Sequence, residues 1–222
     1  MTKSQLLMLA KENMDRYDSS LTQSFVTIIE YLIKNPEDAN YKGEEKHISE
    51  SYVIDKAKKF FESRSLKRPS EPKTGTDSMV KVLLLNHFGI QSDQIQTAID
   101  HHRYAMGAEN IIGDLLECYI AGILEPCGWV WCSGSFVKAI DFIKRDGESW
   151  IPLQVKNRDN SENSSSSKVR EGTEILKWFR TFSQKEGDNW GNFPDPENAS
   201  RLSEEGFEQF VIDYLRRIAT HE

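Results

Sequence analysis

The sequence predicts an α/β protein, a small mixed sheet flanked by helices with a helical N-terminal part. Three observations predict it. Helical periodicity dominates the chain as far as Pro126. Short aromatic and β-branched segments then cluster between Gly128 and Asn157, and helical spacing returns after them.

Each element has its own signal. "DSSLTQSFVTIIEYLIKNP" starts on serine caps, places Phe25, Ile28, Ile29, Leu32 and Ile33 at helical spacing, and stops at Pro36. "SESYVIDKAKKFFES" repeats the pattern with Val53, Ala57, Phe60 and Phe61, and its lysines read as a solvated face. "RSLKRPSEPKTGTDS" is a basic loop, either a surface connection or a phosphate-contacting arm. "TDSMVKVLLLNHFG" reads as a capped helix ending near Gly89, and "SDQIQTAIDHHRYAM" as another. His101 and His102 are adjacent, so they cannot form a metal-binding i, i+4 pair. In "AENIIGDLLECYIAGILEPCGW", Ile112, Leu115, Leu116, Tyr119, Ile120 and Ile123 make an apolar stripe. "GWVWCSG", "SFVKAIDFIKRDG" and "SWIPLQVKN" read as three strands, the last two paired across "KRDGES". "SSSSKVREGTEILKWFRTFS" has helical spacing, and "SEEGFEQFVIDYLRRIA" closes the chain as a helix. Residues 1–90 form the expected helical part, packed on a core of residues 91–222.

Composition narrows the function. With 38% hydrophobic and 10% aromatic residues in 222, the chain can bury a sizeable core. No apolar run reaches membrane-spanning length, and the N-terminus does not read as a signal peptide, so a soluble cytoplasmic protein without membrane contact is expected. Three cysteines without a C-x-x-C pair suit a reducing compartment and make a zinc site a poor fit. The net charge of −7 argues against nonspecific coating of nucleic acid. A local patch remains open, because seven basic residues stand against two acidic ones between Lys56 and Lys73.

The chemistry gathers in the hairpin. Strand alternation puts Gln154 and Lys156 on one face, and pairing about "RDGE" brings Asp141 opposite them. A carboxylate, an amide oxygen and the Val155 carbonyl suit Mg²⁺, which takes hard oxygen ligands and keeps several waters. Lys156 cannot ligate while protonated, but it can hold a water or stabilise charge on a phosphate, as metal-assisted phosphodiester hydrolysis requires. Glu117 interrupts the apolar helix just before the strands and can complete a metal set of Asp141, Gln154 and Glu117, a solvent-facing glutamate being the other reading; Asp114, one turn away, is the alternative acid. Such a triplet also occurs on ordinary surface hairpins. Beyond it, "NRDNSENSSSSKVREG" offers amides, hydroxyls and cations ahead of an expected helix start, which suits an anion. Arg158, Asn160, Asn163, Ser165, Lys168 and Arg170 are the candidate DNA contacts; a flexible serine-rich linker is the other reading.

"AIDFIKRDGESWIPLQVKNRDNSENSSSS" resembles the SinI/AvaII-like type II restriction endonucleases of the PD-(D/E)xK nuclease superfamily. The superfamily motif falls on Asp141, Gln154 in place of the usual acid, and Lys156; the G-x-x-x-E of the preceding helix falls on Gly113 and Glu117. The chain departs from the commonest pattern at Ile140, where a proline is usual, and at the neutral Gln154. The resemblance implies a PD-(D/E)xK restriction-endonuclease-like core and a homodimeric, Mg²⁺-dependent enzyme. It also implies cleavage of double-stranded DNA at GG(A/T)CC with 5′ overhangs, beside a cognate cytosine DNA methyltransferase that protects the host. Two rivals share the core: a structure-specific repair nuclease, and a non-catalytic DNA-binding regulator with a degenerate site, which the neutral Gln154 favours. A helical interaction module with a structural hairpin is the bland alternative.

Overall fold

The structure is a computed structural model that describes residues 1–43, 46–70, 72–73, 75–160 and 174–220. The chain divides into two compact units, one of residues 1–66 and 116–222, the other of residues 67–115.

The first unit is built on a four-stranded mixed sheet in the order β1 (Trp129–Trp131), β2 (Phe142–Asp146), β3 (Ser149–Arg158), β4 (Leu176–Thr181). The strands β1, β2 and β3 run antiparallel in sequence, with Phe142 opposite Leu153 and a two-residue turn between Asp146 and Ser149. Gly147 takes φ +58° in that turn, a conformation open to glycine at no steric cost. The last strand, β4, lies parallel to β3, with Gln154 opposite Lys177 and Lys156 opposite Phe179.

The β4 strand corrects the expected helix over "EILKWFRTFS". Ile175, Trp178, Phe179 and Phe182 follow helical spacing, so local periodicity points the wrong way. Backbone pairing to β3 decides the matter, and Trp178 is buried while Leu176 is exposed. Strand character in the second expected segment is also shorter than read: β2 begins at Phe142, and residues 132–141 form a loop.

Helices cover both faces. On one side, α1 (Lys3–Tyr17), α2 (Thr22–Lys34) and α3 (Glu50–Ser63) contribute Met14, Phe25, Ile28, Leu32, Val53 and Phe60 to a core shared with Val130, Cys132, Ile143 and Ile175. The α1 helix, which no periodicity argument had picked out, starts on a reciprocal capping pair between Thr2 and Gln5. On the other side, Tyr119 of α5 (Ile95–Leu124) meets Trp190, Phe207 and Phe210, the last two on α6 (Glu204–Thr220). Trp178 stacks with Trp190 and Phe193 on that same face. The α5 helix runs unbroken for 30 residues where two helices were expected. Its C-terminal half buries the predicted stripe at Leu115, Leu116, Tyr119 and Ile120.

Two basic residues depart from the solvated reading. Lys56 is 3% exposed, its ammonium 4.7 Å from the Tyr52 ring centroid and 3.2 Å from Asp55. Arg64, expected in the basic loop, caps α3 and is largely buried. Its fork donates to both oxygens of Glu125 at 2.9 and 2.7 Å, to the Trp131 carbonyl at 3.0 Å and to Ser133 Oγ at 3.2 Å. It thereby ties α3 to the turn after α5 and to the end of β1. In the second unit, α4 (Ser78–Asn86) starts on the Asp77 side chain as its cap and is followed by Gly89 at φ +68°. Among the described residues no helix is long and apolar enough to cross a membrane.

Truncating Arg64 leaves the Glu125 carboxylate without its fork, so Arg64→Ala is expected to cost about 2 kcal/mol of folding free energy. Arg64→Lys is expected to recover less than half of that, as read from urea denaturation midpoints.

Candidate active site

The site forms where the β2–β3 ladder ends. Phe142 is the last β2 residue paired with β3, and Asp141 steps out of the ladder. Its backbone N–H still donates to the Leu153 carbonyl at 2.9 Å, and its carbonyl accepts from the Cys132 N–H at 2.8 Å. Its carboxylate takes over from the missing backbone acceptor: Oδ2 receives the Val155 N–H at 2.7 Å. The side chain of Asp141 is therefore fixed against β3 by the strand's own hydrogen-bonding need.

The loop that delivers Asp141 is held from outside. Tyr52 Oη and the Asn40 N–H both donate to the Phe136 carbonyl, and the Lys138 N–H donates to the Asp38 carbonyl at 2.7 Å. A β-bridge joins Ala39 to Val137. Ser135 and Ala139 both sit at positive φ, 56° and 53°, sparsely populated for residues with a Cβ. Gly134, at φ +97°, approaches the Lys59 backbone so closely that a Cβ would meet it at 3.3 Å.

Alternation along β3 places Trp150, Pro152, Gln154 and Lys156 on the face that bears α1–α3, because Trp150 packs on that core against Tyr31. Asp141, opposite Gln154 when the register is continued past Phe142, belongs to the same face. Gln154 is 1% exposed and Lys156 half-buried. Burial pushes the Asp141 carboxyl above the ordinary carboxylate range, while the Lys156 ammonium and the Val155 N–H pull it back.

Glu117 projects from α5 onto the Trp131 side chain. Its Oε2 accepts the Trp131 indole N–H at 2.8 Å, which points the carboxylate at the end of β1. Asp114, the alternative acid, is instead paired with Lys67 at 2.6 Å. The Cys132 thiol is pushed well above its usual range first by burial, then by Asp141, with Glu117 and Glu125 adding and Arg64 opposing. Sequence reasoning missed Trp131, Cys132 and Arg64 as parts of this frame. The paired tryptophans of "WVW" were the available signal, since a buried indole N–H requires an acceptor.

The donor set suits a hard divalent cation. Asp141, the buried Gln154 amide and the Val155 carbonyl offer oxygen donors of the kind such a cation takes, with Lys156 on the same face. Among the described residues no group of three His, Cys, Asp or Glu could hold a metal ion.

Arg158 is exposed at the end of β3, and Asn160 is exposed in the turn that follows. Asn160 lines a shallow cleft with Asp159, Phe182, Ser183 and Lys185. Asn163, Ser165, Lys168 and Arg170 lie outside the described residues, as does the serine run itself.

The chain matches the profile of the family described as "SinI restriction endonuclease" over residues 7–217. The chain belongs to the SinI restriction endonuclease family. This SinI-family chain is 47% identical over 216 residues to the type II restriction enzyme SinI of Salmonella infantis, covering 95% of the chain and 94% of that protein. It is 46% identical over 221 residues to the type II restriction enzyme Eco47I of Escherichia coli, with the same coverage. Membership and these relatives assign the SinI-family chain to the type II restriction enzymes.

Two outcomes follow from the geometry. Trp131→Phe keeps the ring but removes the N–H held by Glu117, a loss on the order of 1–2 kcal/mol of orientation. Mg²⁺ affinity is expected to fall by about tenfold, measured by calorimetric titration, while the melting temperature without metal changes little. The second concerns pH. A carboxyl raised by burial stays protonated to higher pH than usual, so metal binding must displace its proton and weakens as pH falls through that raised value. Lys156→Met removes the opposing charge and is expected to move this loss to still higher pH. An unchanged Mg²⁺-binding profile in Lys156→Met would show that the lysine does not act on Asp141.

Proposed function

We propose that this enzyme hydrolyses phosphodiester bonds of double-stranded DNA with Mg²⁺ at GG(A/T)CC sites, as a homodimer in the cytoplasm beside a cognate cytosine DNA methyltransferase. The observation that carries the chemistry is the half-buried Asp141 carboxylate, pinned by the Val155 N–H and acted on by the Lys156 charge. The target sequence is supported by the resemblance of residues 139–167 to the SinI/AvaII-like enzymes.

In this reading the core is of the PD-(D/E)xK type. Asp141 and Gln154, with Glu117, would hold the cation, whose chemistry when bound would be to polarise the scissile phosphate and to make an attacking water more acidic. Lys156 holds that water and stabilises charge on the phosphate oxygens. The Trp131 N–H orients Glu117, and the Val155 N–H keeps Asp141 facing β3. The neutral Gln154 leaves the set one negative charge short of the commonest pattern, so Glu117 carries more of the cation's charge. Arg158 and Asn160 contact the DNA near the cut, with Asn163, Ser165, Lys168 and Arg170 further along the same segment.

Digestion of an unmethylated plasmid with Mg²⁺, followed by end mapping, tests the reading. Discrete fragments with 5′ overhangs at GG(A/T)CC are expected. A smear, or cutting confined to junctions, would point to a repair nuclease instead. Asp141→Ala and Lys156→Ala are each expected to abolish cleavage while DNA is still retained in a gel-shift assay. Full cleavage by either variant would refute the assigned roles.

A further inference from the structure

Three lysine amines gather around the Asp55 carboxylate of α3. Asp55 Oδ2 lies 2.9 Å from the amine of Lys59, 3.2 Å from that of Lys56 and 3.8 Å from that of Lys42. Among the described residues Asp55 is the acid paired with all three, so positive charge is in excess here although the whole chain carries −7. The amines also meet one another. Lys42 is held below the ordinary lysine range, first by its hydrogen bond with Lys59, with Asp55 opposing; Lys59 is raised by that same bond and by Asp55. Like charges in contact repel, and one carboxylate shared three ways leaves part of that repulsion standing. A further anion with several oxygens would relieve it.

The cluster is held in place. Lys56 is buried against the Tyr52 ring, and the Tyr41 ring lies 5.5 Å from that of Tyr52, which fixes the chain just before Lys42. The outer two amines remain open to a ligand, with side chains 68% exposed at Lys42 and 32% at Lys59. The Lys59 backbone abuts Gly134, near the start of the loop that ends at Asp141. The cluster is thereby tied to the segment that delivers the catalytic acid.

We propose that Lys42, Lys56 and Lys59 form a phosphate site that grips one backbone phosphate of the bound duplex away from the cut, Lys42 and Lys59 donating to its oxygens and Lys56 adding charge from behind. Ammonium groups on flexible stems meet phosphate as point charges. Such a contact reads no base, so it adds affinity without sequence preference and sets the register of the duplex against Asp141. Free inorganic phosphate offers the same oxygens; the tie between Lys59 and the Asp141 loop favours the linked one. In this role the cluster rests on the DNA substrate of the proposed function.

Fluorescence anisotropy of the full chain without metal tests it, using one labelled duplex that holds GG(A/T)CC and one that lacks it, across a range of salt. The double variant Lys42→Ala, Lys59→Ala is expected to bind both duplexes about tenfold more weakly, and to flatten the slope of log affinity against log salt by about one. The charge-keeping pair Lys42→Arg, Lys59→Arg is expected to restore the slope. Lys58→Ala removes a charge from the same helix, one paired with Glu62, and is expected to match wild type. Lys42→Ala alone, at the most exposed amine, is expected to show part of the loss and serves if the double variant fails to fold. Scanning single neutral methylphosphonate linkages along the duplex is expected to find one position that weakens wild type and leaves the double variant unmoved. A slope unchanged in the double variant, an equal loss in Lys58→Ala, or no such linkage would each overturn the site. Calorimetric titration separates the two sources: saturable inorganic phosphate binding that the double variant loses, with DNA binding unmoved, would assign the cluster to free phosphate and overturn its DNA role. Wild type that binds neither duplex would count against the DNA substrate itself and remove this site with it, whereas wild-type binding that the variants do not move overturns this site alone.

Discussion

One hydrogen bond organises the centre of this molecule: the Val155 N–H donates to the Asp141 carboxylate. At that point the antiparallel ladder stops, and a side chain replaces the backbone carbonyl that would have come next. The strand's unsatisfied donor is costly to bury, and the acid that satisfies it is costly to bury as a charge. Each solves part of the other's problem. What remains is an aspartate whose carboxyl is raised by burial and held down by Lys156. The sign of its linkage follows. Below the ordinary carboxylate range it is protonated both folded and unfolded. As pH rises through its raised value the fold must accept a buried charge and loses stability. A bound cation relieves that same charge, so metal affinity and fold stability draw on one interaction.

The helices on the two faces serve this point differently. The α1–α3 side supplies the core under Val130, Cys132 and Ile143, and the segment between α2 and α3 grips the loop leading to Asp141 through Asp38, Asn40 and the Ala39–Val137 bridge. The α5 side brings Glu117 to the end of β1 by way of the Trp131 indole. Arg64 joins the two sides, since its fork meets Glu125 while another of its hydrogens meets the Trp131 carbonyl. The strand β1, only three residues long, is thus the plank on which both acids are referenced: Glu117 through the Trp131 side chain, Asp141 through the Cys132 N–H that follows it. Positioning of this kind resists small displacements, which matters wherever catalysis depends on a cation held at fixed distances.

Gln154 shows how a neutral residue fits such a frame. At 1% exposure, an ionised acid in its place would add a second buried negative charge beside Asp141. The amide keeps an oxygen donor without that repulsion.

Much of this was legible along the chain. Alternation in β3 and the Asp146–Ser149 turn were enough to put Asp141, Gln154 and Lys156 on one face, because strand register about a tight turn is a local property. Helical stripes in α2, α3 and the second half of α5 were legible for the same reason. Local pattern failed at Ile175, Trp178, Phe179 and Phe182, whose helical spacing is overruled by parallel pairing with a strand far back in sequence. It failed again at Lys56, buried beside Tyr52 and Asp55 of its own helix, and at Arg64, whose charge is satisfied by partners that the fold alone brings near. Sequence by itself determined which face of the hairpin presents Gln154 and Lys156, since that depends on neighbours within a few positions. Only the tertiary structure decided which acid on α5 turns inward, what holds Asp141 in place, and that β4 is a strand. Each of these rests on a hydrogen bond or ion pair between segments whose meeting no local periodicity encodes.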